Sequence, residues 1–298
     1  MSTNHEDHFR KTMRSLLRQP DIELDTPLHN VARNGNIEIF RAIIKFYAEI
    51  NLRNAELQTP LHIAATNGHE NIAKQLLEVS LCSINLLDKF QATPLFYAIK
   101  NGSISMIKLL INNGANTLSK IDGKKIPLDI AITDGNISMV KLLLEELRDD
   151  EDEKRKVFPL HDAVEKRQLK VLKSIIKRGY AVIDQINEAN QTCLELAIET
   201  NFVEGVSYLL NLKHWERLMR RRFKPITELD PHPQSPMQLL ITKMPQMAKL
   251  VLDKCVHPIG RDVYHNYEII DDVYYIPDLE LEQCKGPDCE LNQKIRSS

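Results

Sequence analysis

The chain has 298 residues, a formal net charge of −2 and 43% hydrophobic residues, as expected of an ordinary folded protein. No stretch approaches the roughly 18 consecutive apolar residues of a membrane-spanning helix, and the polar N-terminus lacks the apolar core of a secretory signal. Five cysteines without an export signal indicate reduced thiols and a cytoplasmic location.

The first predicted element is a basic amphipathic helix over residues 8–18. Its apolar side holds Phe9, Met13, Leu16 and Leu17, and its cations are Arg10, Lys11, Arg14 and Arg18. Such a helix fits either a cap on the repeats that follow or a helix that lies on a membrane surface. We expect residues 1–19 to form an N-terminal cap, because stacked repeats need one.

A short motif then recurs along the chain, and its clearest copy runs from Thr59 to His69. Thr59 can cap a helix, Pro60 suits the first helical position, and Gly68 can end the helix in a left-handed conformation. A second helix with one apolar face follows at once. Because so small a helix pair cannot bury that face alone, the pattern predicts stacked copies. The second motif position is held by Pro27, Pro60, Pro94, Pro127, Pro159, Cys193 and Pro236.

The first six copies are 32 to 34 residues apart, and the seventh follows after 43. A Thr-Pro-Leu-His-x-Ala motif with this period resembles the ankyrin repeat. The resemblance implies an all-α solenoid of about seven helix-turn-helix repeats over residues 20–256, with hairpin fingers between the helix pairs. It also implies protein partners that are bound through the fingers and the concave groove.

The fingers are the predicted partner-binding elements. The candidate contacts are Asn54, Glu56, Lys89, Phe90, Asp122, Lys124, Glu188 and Asn190. Phe90 lies near a fingertip, where it either contacts a partner or tucks against the next finger. In repeat four, an acidic run over residues 149–153 indicates a solvated finger. In repeat five, Lys166 and Arg167 stand where glycine is expected, so the sequence leaves that turn open.

The long interval between repeats six and seven contains a basic insertion, residues 211–231. Guanidinium groups bind phosphate bidentately, so this insertion is a candidate site for an anionic lipid or an inositol phosphate. Its candidate residues are Arg217, Arg220, Arg221, Arg222 and Lys224. Alternatively, acidic residues between positions 262 and 282 lie on it. The shortness of the patch and the net charge of the chain disfavour nucleic acid.

A second resemblance lies in residues 243–276. The helix containing Val251-Leu252-Asp253-Lys254-Cys255, followed by a segment with Tyr274 and Tyr275, is similar to the end of the cytosolic ankyrin domain of TRPA-type transient receptor potential cation channels. This resemblance implies that residues 257–298 form an acidic extended linker and polar tail.

The same resemblance implies a cytosolic regulatory region of such a channel, with channel subunits as partners. The region would lie at the membrane only when joined to a pore domain. The six membrane helices of those channels have no counterpart in these residues. A free-standing cytosolic ankyrin adaptor that recruits a partner protein is therefore the alternative.

The sequence presents no catalytic or cofactor-binding motif, so we expect a non-catalytic protein without cofactor or metal. His29, His62 and His161 recur at one motif position, which predicts a shared structural hydrogen bond. Cys255 follows Lys254 at a helix end and is the candidate reactive thiol, because a neighbouring cation lowers a thiol pKa. Burial between helices is the alternative for this cysteine.

Overall fold

The computed structural model describes residues 2–46, 50–79, 84–121, 123, 125–147, 157–219, 235–259 and 262–265. It divides into two compact units, Met1–Val182 and Ile183–Ser298. The first unit contains an N-terminal helix and repeats one to five. The second contains repeats six and seven, one short helix between them and a β-hairpin.

In the first unit, helix α1 spans Ser2–Leu17 and each repeat then contributes a first and a second helix. The pairs are α2 (Pro27–Asn34) and α3 (Ile37–Ile44), α4 (Pro60–Asn67) and α5 (Glu70–Val79), α6 (Pro94–Asn101) and α7 (Ile104–Asn112), α8 (Pro127–Thr133) and α9 (Ile137–Glu146), and α10 (Pro159–Glu165) and α11 (Leu169–Arg178). First helices contact the first helices of adjacent repeats, and second helices contact second helices. The unit is therefore built from two helical layers.

The helix boundaries follow from the motif. Thr59 has extended backbone angles and precedes Pro60, whose missing N–H is not needed in the first helical turn. The helix ends at Gly68, which has a φ of 74°. Repeat five makes the same turn with Arg167 at a φ of 53°. The turn that the sequence left open is thus formed without glycine.

The core of the first unit is a strip shared by neighbouring repeats. The leucine of the motif is buried in every repeat of this unit, at Leu28, Leu61, Leu95, Leu128 and Leu160. From the second helices, Ile72 and Leu76 in repeat two and Met106 and Leu110 in repeat three are also buried. Each such side chain contributes roughly 1.5–3 kcal/mol to stability through burial, so no repeat is stable without its neighbours.

The second unit has the same two layers. Its helices are α12 (Cys193–Glu199), α13 (Val203–Leu210), α14 (Glu216–Met219), α15 (Pro236–Lys243) and α16 (Pro245–Cys255). Helix α12 contacts α15, and α13 contacts α16, so repeats six and seven stack despite their longer separation. The predicted all-α fold with seven helix-turn-helix repeats is confirmed.

A β-hairpin follows α16 directly. Strands β1 (Val256–Ile259) and β2 (Asp262–His265) pair antiparallel, with Val256 opposite His265 and Ile259 opposite Asp262. We expected an extended linker from residue 257 onward, whereas its first residues form this hairpin. Val, Ile and Tyr favour strand pairing, which accounts for the difference. The expected linker and tail beyond residue 265 lie outside the described residues.

Candidate protein-binding surface

Four of the described fingers are closed by a five-residue turn whose first residue is Asp or Asn, namely Asp21, Asn54, Asp88 and Asn187. The Oδ1 atom of Asn54 accepts hydrogen bonds from the backbone N–H of Glu56 at 3.1 Å and of Gln58 at 2.9 Å. Asp88 does the same for Phe90 and Ala92, both at 2.9 Å. Asp and Asn favour such turns because their short side chains reach backbone donors two residues onward. The sequence thus encodes the shape of these four fingers locally.

The fourth residue of these turns is left-handed. Leu24, Leu57, Gln91 and Asn190 have φ values of 58° to 60°. Leucine rarely adopts this conformation, since its Cβ crowds the following carbonyl oxygen. Leu57 nevertheless does so with 44% of its surface exposed. The turn therefore holds an apolar side chain outward at a local cost in stability.

Backbone hydrogen bonds join successive fingers in the first unit. The N–H of Ala55 donates to the carbonyl of Glu23, and the N–H of Lys89 donates to the carbonyl of Glu56, both at 3.0 Å. The Nζ atom of Lys89 also lies 3.4 Å from Oε1 of Glu56. We call the three joined fingers, residues 21–25, 53–58 and 87–92, the finger row. The bonds between them fix the spacing of their tips.

The predicted contact residues have different positions in this row. Glu56 and Lys89 are at the surface, and Phe90 is 53% exposed beside the Lys89 ammonium, whose Nζ lies 6.0 Å from the ring centroid. About half of the Phe90 side chain is thus presented outward. The prediction that Asn54 contacts a partner is wrong, because this residue is only 6% exposed and its Nδ2 donates to Asp25 at 2.8 Å. It builds the finger and has no surface to offer a partner.

Two further fingers carry the remaining candidates. Ile121 and Lys125 form an isolated antiparallel bridge around Gly123, while Asp122 and Lys124 lie outside the described residues. In the second unit, Glu188 is exposed and Asn190 is half-buried.

Several apolar residues of the finger row that were not predicted as contacts are exposed, namely Ile22, Leu24, Leu57 and Leu87. The repeat period could have revealed the first finger, since Asp21 precedes Asn54 by one 33-residue period.

Tyr97 connects the finger row to helix α6. Its hydroxyl donates to Oδ2 of the buried Asp88 at 2.5 Å and accepts from Nε2 of Gln58 at 3.1 Å. Burial and the hydrogen bond to Asp88 raise the pKa of Tyr97. Tyr97 occupies the variable position of the Thr-Pro-Leu-His-x-Ala motif. A polar aromatic residue at this variable position is the sequence feature that could have indicated its role.

The motif histidines connect neighbouring repeats. In His29, Nδ1 accepts from the backbone N–H of Thr26 at 3.1 Å, and Nε2 donates to the carbonyl of Gln58 at 3.1 Å. His62 makes the same two bonds one repeat later, and burial lowers its pKa to about 4. The predicted structural role is confirmed for these two residues. His161 is also buried, and its ring meets the Phe158 ring edge-on. Phe158 takes the motif position of Thr26 and Thr59 but has no hydroxyl group.

Two carboxyl groups lie on the first helices of repeats four and five. Burial, followed by the charge of Asp129, raises the pKa of Asp162 to about 7. Burial also raises the pKa of Asp129, whose Oδ2 accepts from the N–H of Ile126 at 2.9 Å. Asp129 replaces the motif histidine in its capping role. Near neutral pH, this pair therefore carries less than two full negative charges.

Cys255 was the candidate reactive thiol, and the structure favours the alternative of burial. The residue is 2% exposed, and burial followed by the nearby Glu216 raises its thiol pKa. The neighbouring ammonium of Lys254 is engaged elsewhere, because it donates to the carbonyl of Leu210 at 2.6 Å and to Oδ1 of Asn211 at 2.9 Å. The thiol therefore lacks the exposure and the cation that a reactive cysteine needs.

The anion-binding candidates are described only in part. Arg217 is exposed on α14, whereas Arg220, Arg221, Arg222 and Lys224 lie outside the described residues. Trp215, which neighbours them in sequence, is buried under the Lys254 ammonium, with 5.5 Å between Nζ and the ring centroid. The tryptophan of the basic insertion thus has a packing role.

Among the described residues, the His, Cys, Asp and Glu side chains form no group of three or more suited to a metal ion. Among the helices of this part of the chain, none has the length and apolar character needed to cross a bilayer.

Comparison with protein families places the fold. The model of ankyrin repeats in three copies matches residues 3–85 and 77–154, which together span half of the chain. The chain belongs to the ankyrin-repeat family. A human relative of known structure, the ASB11 ankyrin repeat domain, is 23% identical with a TM-score of 0.55, covering 79% of this chain and all of that one. At this identity, the likeness concerns the fold alone.

Two curated relatives were found. A Caenorhabditis elegans homolog of transient receptor potential cation channel subfamily A member 1 is 27% identical over 274 residues, which are 88% of this chain and 22% of that protein. The NAD-dependent deacetylase sir2B of Dictyostelium discoideum is 26% identical over 188 residues, 63% of this chain and 21% of that protein. The chain thus spans about a fifth of the length of these relatives. The likeness to TRPA-type channels is confirmed.

Proposed function

We propose that this ankyrin-repeat chain is a non-catalytic scaffold that binds a partner protein through the finger row. The observation that carries the proposal is the set of backbone bonds between fingers, Ala55 to Glu23 and Lys89 to Glu56. These bonds order the surface before a partner arrives. A surface that is already ordered loses less conformational entropy on binding, and so binds more tightly for the same contacts.

The composition of the finger row supports a protein partner. Leu24, Leu57 and Phe90 are exposed apolar side chains, and Glu56 and Lys89 flank them with one charge of each sign. Apolar anchors within a polar rim are the usual composition of a protein interface. We therefore expect an apolar partner segment with its own polar flanks.

A photo-cross-linking amino acid at position 90 tests this proposal in cells that express the chain. The matched control carries the same amino acid at Val79, which is equally exposed but lies at the end of second helix α5. We expect a protein adduct from position 90 that is lost with Leu57→Ser, and no such adduct from position 79. Equal adducts from both positions would contradict the role of the finger row.

The relationship to the channel homolog supports a finer proposal. We infer that the repeats act as the cytosolic regulatory region of a TRPA-type cation channel, with channel subunits among the partners. The support is the match over 88% of this chain. Anionic lipid or inositol phosphate at Arg217 and its basic neighbours would suit a location beneath a membrane.

Sequencing the transcript beyond the codon for Ser298 distinguishes this proposal from a free-standing adaptor. Six hydrophobic helices and a pore segment downstream would support the channel. A stop codon there would favour a cytosolic adaptor, with the finger row in the same binding role.

A further inference from the structure

The apolar side of helix α1 is incompletely covered. Phe9 is 57% exposed and Leu16 is 53% exposed, although both lie on the side that a cap would bury. The aromatic contact of α1 is an edge-on approach of Phe9 to Phe46, with 6.1 Å between ring centroids. The helix therefore keeps a contiguous apolar surface, which the repeats of the described chain do not bury.

Exposed cations lie on the remaining surface of the helix. Arg10, Lys11 and Arg14 are exposed, and in the described part of the chain their side chains make no ion pair or hydrogen bond. Residues 8–18 contain no Asp or Glu, and over residues 1–19 the four cations Arg10, Lys11, Arg14 and Arg18 outnumber the two acids Glu6 and Asp7, for a net charge of +2. The exposed part of α1 thus combines uncovered apolar side chains with an excess of positive charge.

The charge identifies what can cover this helix. A second copy of α1 would bring two segments of net positive charge against each other, and that repulsion disfavours self-association. An anionic bilayer compensates the cations at its headgroups and accepts Phe9 and Leu16 at the boundary of its acyl chains. Long basic side chains can also extend along the apolar surface toward the headgroups.

We propose that α1 is an interfacial helix that binds anionic phospholipid bilayers. This proposal rests on α1 alone. Its test does not depend on the proposals for the finger row, the channel relationship or the basic insertion.

Vesicle sedimentation of the full chain tests the proposal. We expect binding to phosphatidylcholine vesicles that contain about one-quarter phosphatidylserine, no binding to phosphatidylcholine alone, and release by salt. Phe9→Ala with Leu16→Ala should lower the partition coefficient by roughly tenfold per side chain. Arg10→Ala, Lys11→Ala and Arg14→Ala together should lower it by roughly fivefold per residue.

The matched control removes three exposed cations from the repeats, by Lys74→Ala, Lys100→Ala and Lys108→Ala. It changes the net charge by the same amount as the α1 charge variant and should bind as the unchanged chain does. Binding that both charge variants reduce equally, or that the α1 variants retain, would overturn the proposal. Equal binding to neutral vesicles would overturn it too.

A second measurement does not depend on the loss of a side chain. Phe9→Trp places a fluorophore on the apolar side of α1, while the buried Trp215 supplies a constant background. We expect brominated acyl chains to quench the new fluorophore in anionic vesicles. Absence of quenching, or a concentration-dependent dimer that disappears in the Phe9→Ala and Leu16→Ala variant, would show that a bilayer is not the occupant.

Discussion

The Nε2 atom of His62 lies 3.2 Å from the backbone carbonyl oxygen of Ala92, in the finger that leads to the next repeat. Nδ1 of the same ring accepts the N–H of Thr59 at 3.1 Å. An amide can only donate and a carbonyl can only accept, so the imidazole is neutral with its proton on Nε2. One uncharged ring thus holds the start of a helix and the following finger together.

Replacing His62 should separate these two roles. His62→Ala leaves the Thr59 N–H without a partner and removes one of the two hydrogen bonds to the Ala92 carbonyl, which still accepts from the N–H of Asp88 at 3.0 Å. We expect a cost of about 1–3 kcal/mol in the free energy of unfolding. His62→Gln should cost less, because Gln238 already caps repeat seven by accepting the N–H of Ser235 at 2.9 Å. Chemical denaturation of the two variants measures the difference. Equal losses would show that the bond to Thr59 contributes nothing.

Stability should also depend on pH through His62. Burial lowers the pKa of His62 from 6.5 to about 4, so the unfolded chain binds more protons between these values. The contribution is fully present above pH 6.5 and is lost as pH falls toward 4, by roughly 3 kcal/mol in all. His62→Gln removes the titrating group and should flatten this part of the curve. An unchanged slope in that variant would contradict the assignment.

Asp162 should have the opposite effect. Burial and the charge of Asp129 raise the pKa of Asp162 to about 7, so its contribution is present at low pH and is lost as pH rises through 7. Asp162→Asn should therefore stabilise the chain at pH 8, because it removes a carboxylate that is unfavourable in the folded state. We expect roughly 2 kcal/mol, which is less than the full pKa shift would give, since solvent partly screens the side chain. The gain should shrink at pH 5. Thermal unfolding at the two pH values checks this expectation, with exposed Asp134→Asn as the control.

The left-handed turn at Leu57 predicts a stabilising substitution. Leu57→Asn places a residue that tolerates this conformation at a φ of 59°, as Asn190 does in the second unit. We expect a gain of about 1 kcal/mol in the free energy of unfolding. Leu87→Asn is the control, since Leu87 is an exposed finger leucine without a left-handed backbone. The same gain in both variants would indicate an effect of polarity rather than of backbone strain.

Cys255 should react slowly while the chain is folded. Its burial and raised pKa disfavour the thiolate, which is the nucleophilic form. Peptide-resolved alkylation with iodoacetamide at pH 7.5 should label Cys255 at least about tenfold faster in denaturant than in buffer. Rapid labelling of the folded chain would show that Cys255 is a reactive thiol after all.

The repeat array was predictable because its signals are local and repeated. Thr59, Pro60 and Gly68 each satisfy one requirement of a helix boundary, and seven copies of the pattern make the assignment secure. The shared role of His29 and His62 followed from their recurrence. The repeat period in the sequence therefore predicted both the fold and the hydrogen bonds of the motif histidines.

The orientation of individual side chains was not predictable in the same way. Asn54 was assigned to a binding surface because it lies in a finger, but its side chain closes the finger from within. Cys255 was considered activated by the adjacent Lys254, whose ammonium reaches 2.6 Å to a carbonyl 44 residues earlier. Contacts between residues far apart in sequence decided both outcomes, and no local pattern reports them.

The bond from Lys254 to Leu210 has a mechanical consequence. Lys254 is the penultimate residue of α16, and strand β1 begins two residues later. Tension applied to the hairpin would enter α16 at its C-terminal end, where Leu210, Asn211 and the Trp215 ring hold the Lys254 ammonium. Lys254 therefore ties the last turn of α16 to the end of repeat six, in addition to the packing of α13 against α16.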